Sequence, residues 1–151
     1  MSAKAKAPKS KGKSKAKKAA KPAPKRIATK AEVIASLDAV AEKRPDLKNE
    51  IALARKVMAS GIKPRHSSAQ FAKTHKNGVT DAERMAAAKL LKGGVPYRKV
   101  EVAFRLYPAS GNDALRMGKA GERLLDRQRR AKAKKAAEAT VKAPETVGAQ
   151  A

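Results

Sequence analysis

Cysteine and tryptophan are absent from this chain of 151 residues, which has only two Phe and two Tyr. The lack of cysteine excludes disulfide bonds and thiolate metal sites. No apolar run approaches the roughly 18 residues of a membrane-spanning helix, and no apolar segment follows the basic start as it would in a secretory signal. We therefore expect an intracellular protein that is not secreted, has no membrane partner, and has a mostly aliphatic core.

Acidic residues are also missing from the start of the chain, where Glu32 is the first carboxylate. The residues before it include twelve Lys or Arg, separated mainly by Ala, Ser, Gly and Pro. Such a segment repels itself and has little apolar surface to bury, so residues 1–28 are predicted to be a disordered lysine-rich tail. A polyanion would relieve this repulsion, and nucleic acid is the commonest polyanion of matching charge density.

The formal net charge of +24 is unevenly distributed. Residues 1–30 contribute +12, residues 31–126 contribute +7, and residues 127–151 contribute +5. The middle stretch is long enough for one small domain. We predict a helical nucleic-acid-binding domain at 29–136, followed by a second disordered tail at 137–151.

Helix signals recur through the middle stretch, whereas alternating runs of β-branched residues do not, so the predicted class is all-α with five or six helices. Two capping boxes, Thr29 to Glu32 and Thr80 to Glu83, mark helix starts. A helix ending at Lys43 is followed by one that starts at Pro45 and stops at Gly61. The remaining expected signals are Ser67 at the start of a short helix, a stop at Gly93 and Gly94, a helix from Pro96 to Pro108, and Asn112 as the N-cap of a last long helix.

Basic residues recur every three or four positions in the last predicted helix, at Arg116, Lys119, Arg123, Arg127, Arg130 and Lys134. In a helix these six residues, which we name the basic stripe, share one side, while Met117, Gly121, Leu124 and Leu125 point broadly the other way. The stripe is about 27 Å long, comparable with the span of one DNA-reading helix. We interpret it as facing nucleic acid, since Arg grips phosphates or guanine edges with two donors. The alternative is an ordinary solvated face of a very basic protein.

Residues 80–125 resemble a helix-turn-helix domain. The similarity to the phage small-terminase and transposase type lies in Ala103-Phe104-Arg105-Leu106-Tyr107-Pro108-Ala109-Ser110 and in Gly121-Glu122-Arg123-Leu124-Leu125. Such domains bind duplex DNA. The resemblance implies that Asn112, Arg116 and Lys119 face the major groove and that Tyr97 and Arg98 start a support helix near a phosphate.

This chain departs from that pattern in the long turn between Tyr107 and Gly111 and in two glycines, Gly118 and Gly121, inside the proposed recognition helix. Interior glycine is unfavourable in a helix, so the two glycines indicate either close helix packing or a helix that orders only on binding.

The lysine-rich tail resembles linker-histone tails in composition, which implies DNA condensation and not sequence recognition. Its candidate nucleic-acid contacts are Lys17, Lys18, Lys25 and Arg26. A nuclear import receptor could also recognise these four residues.

Catalytic, metal and cofactor sites are not predicted. His66 and His75 are the only histidines, and no carboxylate lies between them, whereas a zinc site needs more ligands. Ser67 beside His66 is better explained as a helix cap than as a nucleophile. No glycine-rich phosphate loop of nucleotide-hydrolase spacing occurs.

These observations predict a non-enzymatic DNA-binding protein that neutralises and compacts or packages duplex DNA, in a nucleus, nucleoid or virion. The alternative is an RNA-binding structural protein of a ribonucleoprotein, ribosome or virion. A shortage of exposed aromatic rings argues against RNA, because Phe71, Tyr97, Phe104 and Tyr107 are expected mostly on apolar faces. A third hypothesis is a helical bundle that binds a protein partner or a second copy of itself, as a homo-oligomer, through the acidic region 32–50.

Overall fold

Six α-helices and one 3-10 turn make up the part of the chain that the computed structural model describes, residues 26–107 and 112–142. The predicted all-α class is confirmed, since the described residues contain no strand and only an isolated bridge between Arg65 and Leu106. The elements in chain order are α1 (Lys30–Lys43), the 3-10 turn Pro45–Leu47, α2 (Lys48–Ala59), α3 (Ala69–Thr74), α4 (Asp81–Lys92), α5 (Tyr97–Ala103) and α6 (Asn112–Val141).

Both predicted capping boxes are confirmed. The backbone N–H of Thr29 donates to the carboxylate of Glu32 at 2.8 Å, and the N–H of Glu32 donates to the hydroxyl of Thr29 at 3.3 Å. Thr80 and Glu83 form the same reciprocal pair at the start of α4. These bonds satisfy donors that the helix itself leaves without partners. The backbone hydrogen bond from Thr29, aided by the charge of Arg26, lowers the pKa of Glu32.

Helix α5 is shorter than expected. Pro96 is its N-cap and not its first residue, and the helix ends at Ala103, well before Pro108, which lies outside the described residues. The chain leaves the helix because Arg105 has a φ of 53°, in the left-handed region. The Nε of Arg105 donates to the carbonyl of Ile62 at 2.8 Å, a tertiary contact that local patterns do not reveal.

Helix α6 begins at Asn112 itself and is longer than expected, because it continues to Val141. The tail predicted from residue 137 is therefore wrong for residues 137–141, and the rest of that tail lies outside the described residues. Five of the eleven residues at 131–141 are alanine, which has the highest helix propensity, and the first proline after them is Pro144. The Thr140 hydroxyl also donates within the helix to the carbonyl of Ala137 at 2.7 Å.

The core is mainly aliphatic, as its composition predicts. Helix α6 packs most extensively against α4, which also contacts α2, while α1 packs against α5. The largest fully buried side chains come from α1, from α4 to α6 and from the segments beside them: Phe104, Leu37, Leu90, Met117, Val33, Val79 and Val100.

Gly118 and Gly121 lie on the side of α6 that packs against α4. A Cβ atom added to Gly121 would lie 1.9 Å from the carbonyl oxygen of Arg84, and one added to Gly118 would lie 2.5 Å from the Cδ1 of Leu91. Both distances are far below van der Waals contact. Of the two explanations for these glycines, close helix packing is therefore the one that applies.

Arg65 joins three segments below the surface of the protein, with only 3% of the residue exposed. Its guanidinium donates to the carboxylate of Glu83 at 2.7 Å and to the carbonyls of Asn77 and Gly78 at 3.2 and 3.1 Å. Two longer bonds of 3.4 Å reach the carbonyl of Phe104. Arg65 thus ties the loop before α3 to the start of α4 and to the end of α5.

The Gly121→Ala substitution is expected to destabilise the protein by about 1–3 kcal/mol, because the new methyl group meets backbone that cannot rotate away. This loss outweighs the helix-propensity gain of about 1 kcal/mol. Gly118→Ala is the matched control, with an expected change within about 1 kcal/mol, because the Leu91 side chain can move. Urea unfolding followed by circular dichroism measures both, and a more stable Gly121→Ala protein would contradict the close approach.

Replacement of Arg65 by Met is expected to lower the free energy of unfolding by about 3–5 kcal/mol, since it leaves the Glu83 carboxylate buried without its partner. Adding Glu83→Gln should recover part of the loss, because an amide is less costly to bury and still accepts from Thr80. The control is Arg44→Met, which breaks an exposed pair with Asp46 and should change the free energy of unfolding far less, because exposed ion pairs contribute little stability. Equal losses for Arg65→Met and Arg44→Met in urea unfolding would refute the role of Arg65.

Candidate nucleic-acid interface

All six residues of the basic stripe are exposed. The opposite side of α6 is buried at Ala114, Met117, Gly118 and Gly121, and half-buried at Leu124 and Leu125. The predicted division of this helix into a packed side and a solvent side is therefore present up to residue 125. Contact between the stripe and nucleic acid stays a prediction.

Beyond Leu125 the helix leaves the core. Every residue from Asp126 to Val141 is exposed, so we name residues 126–141 the projecting segment. At 1.5 Å per residue it extends about 24 Å. Within the described residues, no other element buries this segment, although Gln128 in its first turn lines a groove beside α2 and α4.

The projecting segment carries cations outside the stripe. We name three of these cations the back triad: Arg129, Lys132 and Lys135. At 100° per residue, the centre of the back triad is rotated about 165° around the helix axis from the centre of Arg127, Arg130 and Lys134. The sequence pattern did not identify the back triad, because the side of α6 opposite the stripe was expected to pack along its whole length. The lack of large apolar residues between 126 and 140 was the signal that could have identified it.

The acidic residues of α6 lie off the stripe. Glu122 is 3.3 Å from the ammonium of Lys92 in α4, and Asp126 is 3.9 Å from the guanidinium of Arg129. Within the stripe, Lys134 is 3.8 Å from Glu138. All of these pairs are exposed, so each contributes little stability, and a phosphate could displace the carboxylate.

The first turn of α6 is attached to the loop before α3. Asp113 accepts a hydrogen bond of 3.0 Å from the hydroxyl of Ser67, and its second oxygen lies 3.4 Å from Nδ1 of His66. Ser68, and not Ser67, caps α3. The prediction that Ser67 is a cap is therefore wrong, because Asp113, 46 positions away, takes its hydroxyl.

Four rings lie side by side near this attachment. His66 contacts Tyr107 with ring centroids 4.4 Å apart and Phe71 at 5.9 Å, while Phe71 stacks on His75 at 3.9 Å. Ser67 and His66 both contact Asp113, so no Ser-to-His contact of the nucleophilic type is formed. Within the described ranges, no group of three or more His, Asp or Glu side chains could hold a metal ion.

Arg98 lies in the first turn of α5, half-exposed, with its guanidinium 5.8 Å from the ring centroid of Tyr97. Tyr97 and Tyr107 are 37% and 43% exposed. The expectation that the aromatic residues lie mostly on apolar faces is thus wrong for both tyrosines, because one starts α5 and the other follows its end. Phe104 is fully buried, as expected.

The remaining candidates lie at the start of the chain. Arg26 is exposed and lies 3.2 Å from Glu32. The other three, Lys17, Lys18 and Lys25, lie outside the described residues. The same holds for residues 1–25 of the predicted disordered tail.

The acidic region 32–50 forms ion pairs within the chain. Asp46 lies 3.0 Å from Arg44, and this pairing lowers the pKa of Asp46 through hydrogen bonding and charge. Asp38 pairs with Arg55, and Glu50 with Lys89. Four carboxylates of this region therefore already lie beside cations of the same chain: Glu32, Asp38, Asp46 and Glu50.

Comparisons with protein-family models, curated proteins and solved structures find no significant match for this chain. Among the helices within 26–107 and 112–142, none combines the length and apolar character needed to cross a membrane. The functional interpretation therefore depends on the charge and geometry of the chain itself.

Proposed function

We propose that this protein is a non-enzymatic DNA-binding protein that docks on duplex DNA through the basic stripe of α6 and compacts it. The observation that carries the proposal is the stripe itself. Six cations occupy one exposed side of a single helix over about 27 Å. A polyanion relieves the repulsion among them, and each phosphate that they neutralise releases a condensed counterion.

The packing of α6 supports a fixed orientation on DNA. Gly118 and Gly121 bring the helix against α4, and Asp113 fixes its first turn to Ser67. Arg116, Lys119 and Arg123 therefore project from a helix whose rotation about its own axis is determined. Cations on a rigid element can set register on the duplex, whereas cations on a flexible tail supply affinity without orientation.

A helix-turn-helix arrangement is part of the proposal. Helix α6 serves as the recognition helix and α5 as the support helix, with α4 packed against both. Asn112, Arg116 and Lys119, all exposed in the first turns of α6, contact base edges, and Arg98 at the start of α5 contacts a phosphate. Lys17, Lys18, Lys25 and Arg26 of the lysine-rich tail neutralise neighbouring phosphates.

An RNA-binding structural role is the second candidate, and the exposed tyrosines favour it. The rings of Tyr97 and Tyr107 are accessible for base stacking, with Arg98 beside Tyr97 to contact a phosphate. The stripe can bind the phosphates of either polymer. Direct competition between the two polymers therefore distinguishes the candidates.

The combined substitution Arg116→Gln, Lys119→Gln and Arg123→Gln is expected to weaken duplex binding. Removing three cations from the interface should also reduce the slope of log K against log salt, by up to about 3 at about 0.9 per phosphate that they neutralise. Fluorescence anisotropy with a labelled duplex at several salt concentrations measures both effects. Gln preserves helix propensity, so the helix itself should persist.

The control for this triple variant removes the same charge from another surface. Lys43, Lys48 and Lys56 are exposed on α1 and α2, and their replacement by Gln should change the salt slope by less than about 1. If the two triple variants lose affinity equally, net charge and not the stripe determines binding.

Duplex DNA is expected to outcompete a structured RNA of equal phosphate number for the full-length protein. The physical reason is that a helix fits the major groove of B-form DNA, while the major groove of A-form RNA is deep and narrow. Competition anisotropy at fixed salt provides the measurement. If the protein prefers RNA, and Tyr97→Ala lowers its affinity for RNA, the RNA-binding structural role replaces the DNA-binding one.

A further inference from the structure

The projecting segment differs from the rest of α6 in having two opposite cationic sides. Up to residue 125 the side opposite the stripe packs on the core, so that part of the helix can present cations to a single ligand. From residue 126 onward the stripe residues Arg127, Arg130 and Lys134 lie on one side, and the back triad lies on the other.

Both sides are equally open. All six side chains are exposed, and among the described residues the carboxylates paired with them are Asp126, at 3.9 Å from Arg129, and Glu138, at 3.8 Å from Lys134. Each side thus has one weakly paired cation and two others. The two triads therefore match in charge, exposure and carboxylate contact, and their centres lie about 165° apart around the helix, with the back triad spread over about 120°.

The separation of the two sides suits two polyanions. An α-helix with its side chains is about 10–12 Å across, so phosphate backbones that contact opposite sides of one helix are held apart by its full width. Two duplexes at that distance repel each other strongly unless cations lie between them. The projecting segment places six cations in that position without requiring a second copy of the protein.

We propose that the projecting segment bridges two nucleic-acid duplexes, with the stripe side on the duplex that the core docks on and Arg129, Lys132 and Lys135 on a second one. This inference rests on the proposed binding of duplex DNA by the stripe. It assigns compaction to a folded element with two defined sides, in addition to the lysine-rich tail. One protein molecule is then sufficient for one cross-link.

The test uses the full-length protein and two triple variants, R129Q/K132Q/K135Q for the back triad and R127Q/R130Q/K134Q for the stripe side. Each variant lowers the formal net charge by three. Anisotropy gives the affinity for one duplex in dilute solution. Capture of a free fluorescent duplex by the same duplex fixed on beads gives bridging. Circular dichroism checks that both variants keep the helix content of the wild type.

The back-triad variant is expected to keep its single-duplex affinity within about threefold, since each of its lost contacts belongs to the second duplex. Its capture of the free duplex should fall by about tenfold or more, because three phosphate contacts to that duplex are gone. The stripe-side variant should lose single-duplex affinity, and its capture should fall as a consequence.

Two outcomes would overturn the inference while leaving duplex binding intact. Unchanged capture by the back-triad variant would mean that the tails bridge the duplexes. Equal loss of single-duplex affinity in both variants would mean that one groove surrounds the projecting segment. If the wild-type protein itself fails to bind duplex DNA, the proposed function fails and the inference fails with it.

Discussion

The close contact between α4 and α6 determines which cations of α6 face solvent. At Gly121 the two backbones approach so closely that a single methyl group would meet the carbonyl oxygen of Arg84. This contact fixes the rotation of α6 about its axis. Arg116, Lys119 and Arg123 point outward for that reason, and not merely because they are charged. Any function that depends on the direction of the stripe therefore depends on Gly118 and Gly121, which allow this close contact because they have no side chain.

Net charge alone does not locate the surface that is proposed to bind nucleic acid. Arg65 and Arg84 are 3% and 7% exposed, so neither can meet a phosphate. Arg65 is instead used to satisfy the Glu83 carboxylate and three carbonyls, which otherwise would be costly to bury. Part of the protein's positive charge is therefore structural, and the binding surface must be identified by exposure.

The sequence predicted well those features in which the interacting residues lie within one helical turn of each other. Thr29 and Glu32 cap α1 through atoms three residues apart, so their pattern alone is sufficient. The features that it could not predict depend on partners far along the chain. Arg65 meets the Phe104 carbonyl 39 positions away, and the hydroxyl of Ser67 meets Asp113. Gly121 was ambiguous for the same reason, since only the position of α4 distinguishes close packing from a helix that orders on binding.

The projecting segment shows why a helix can persist without a core behind it. Alanine at positions such as 131, 133, 136 and 137 favours the helix at every turn, and Glu138 offsets part of the charge of Lys134. Repulsion among six cations opposes this propensity, and it is strongest when no polyanion is present. Phosphates bound on either side would screen the repulsion among the cations, so the helix propensity of alanine would no longer be opposed. Phosphates bound to this segment would thus stabilise its helix further, whereas in the first half of α6 packing against α4 already does so.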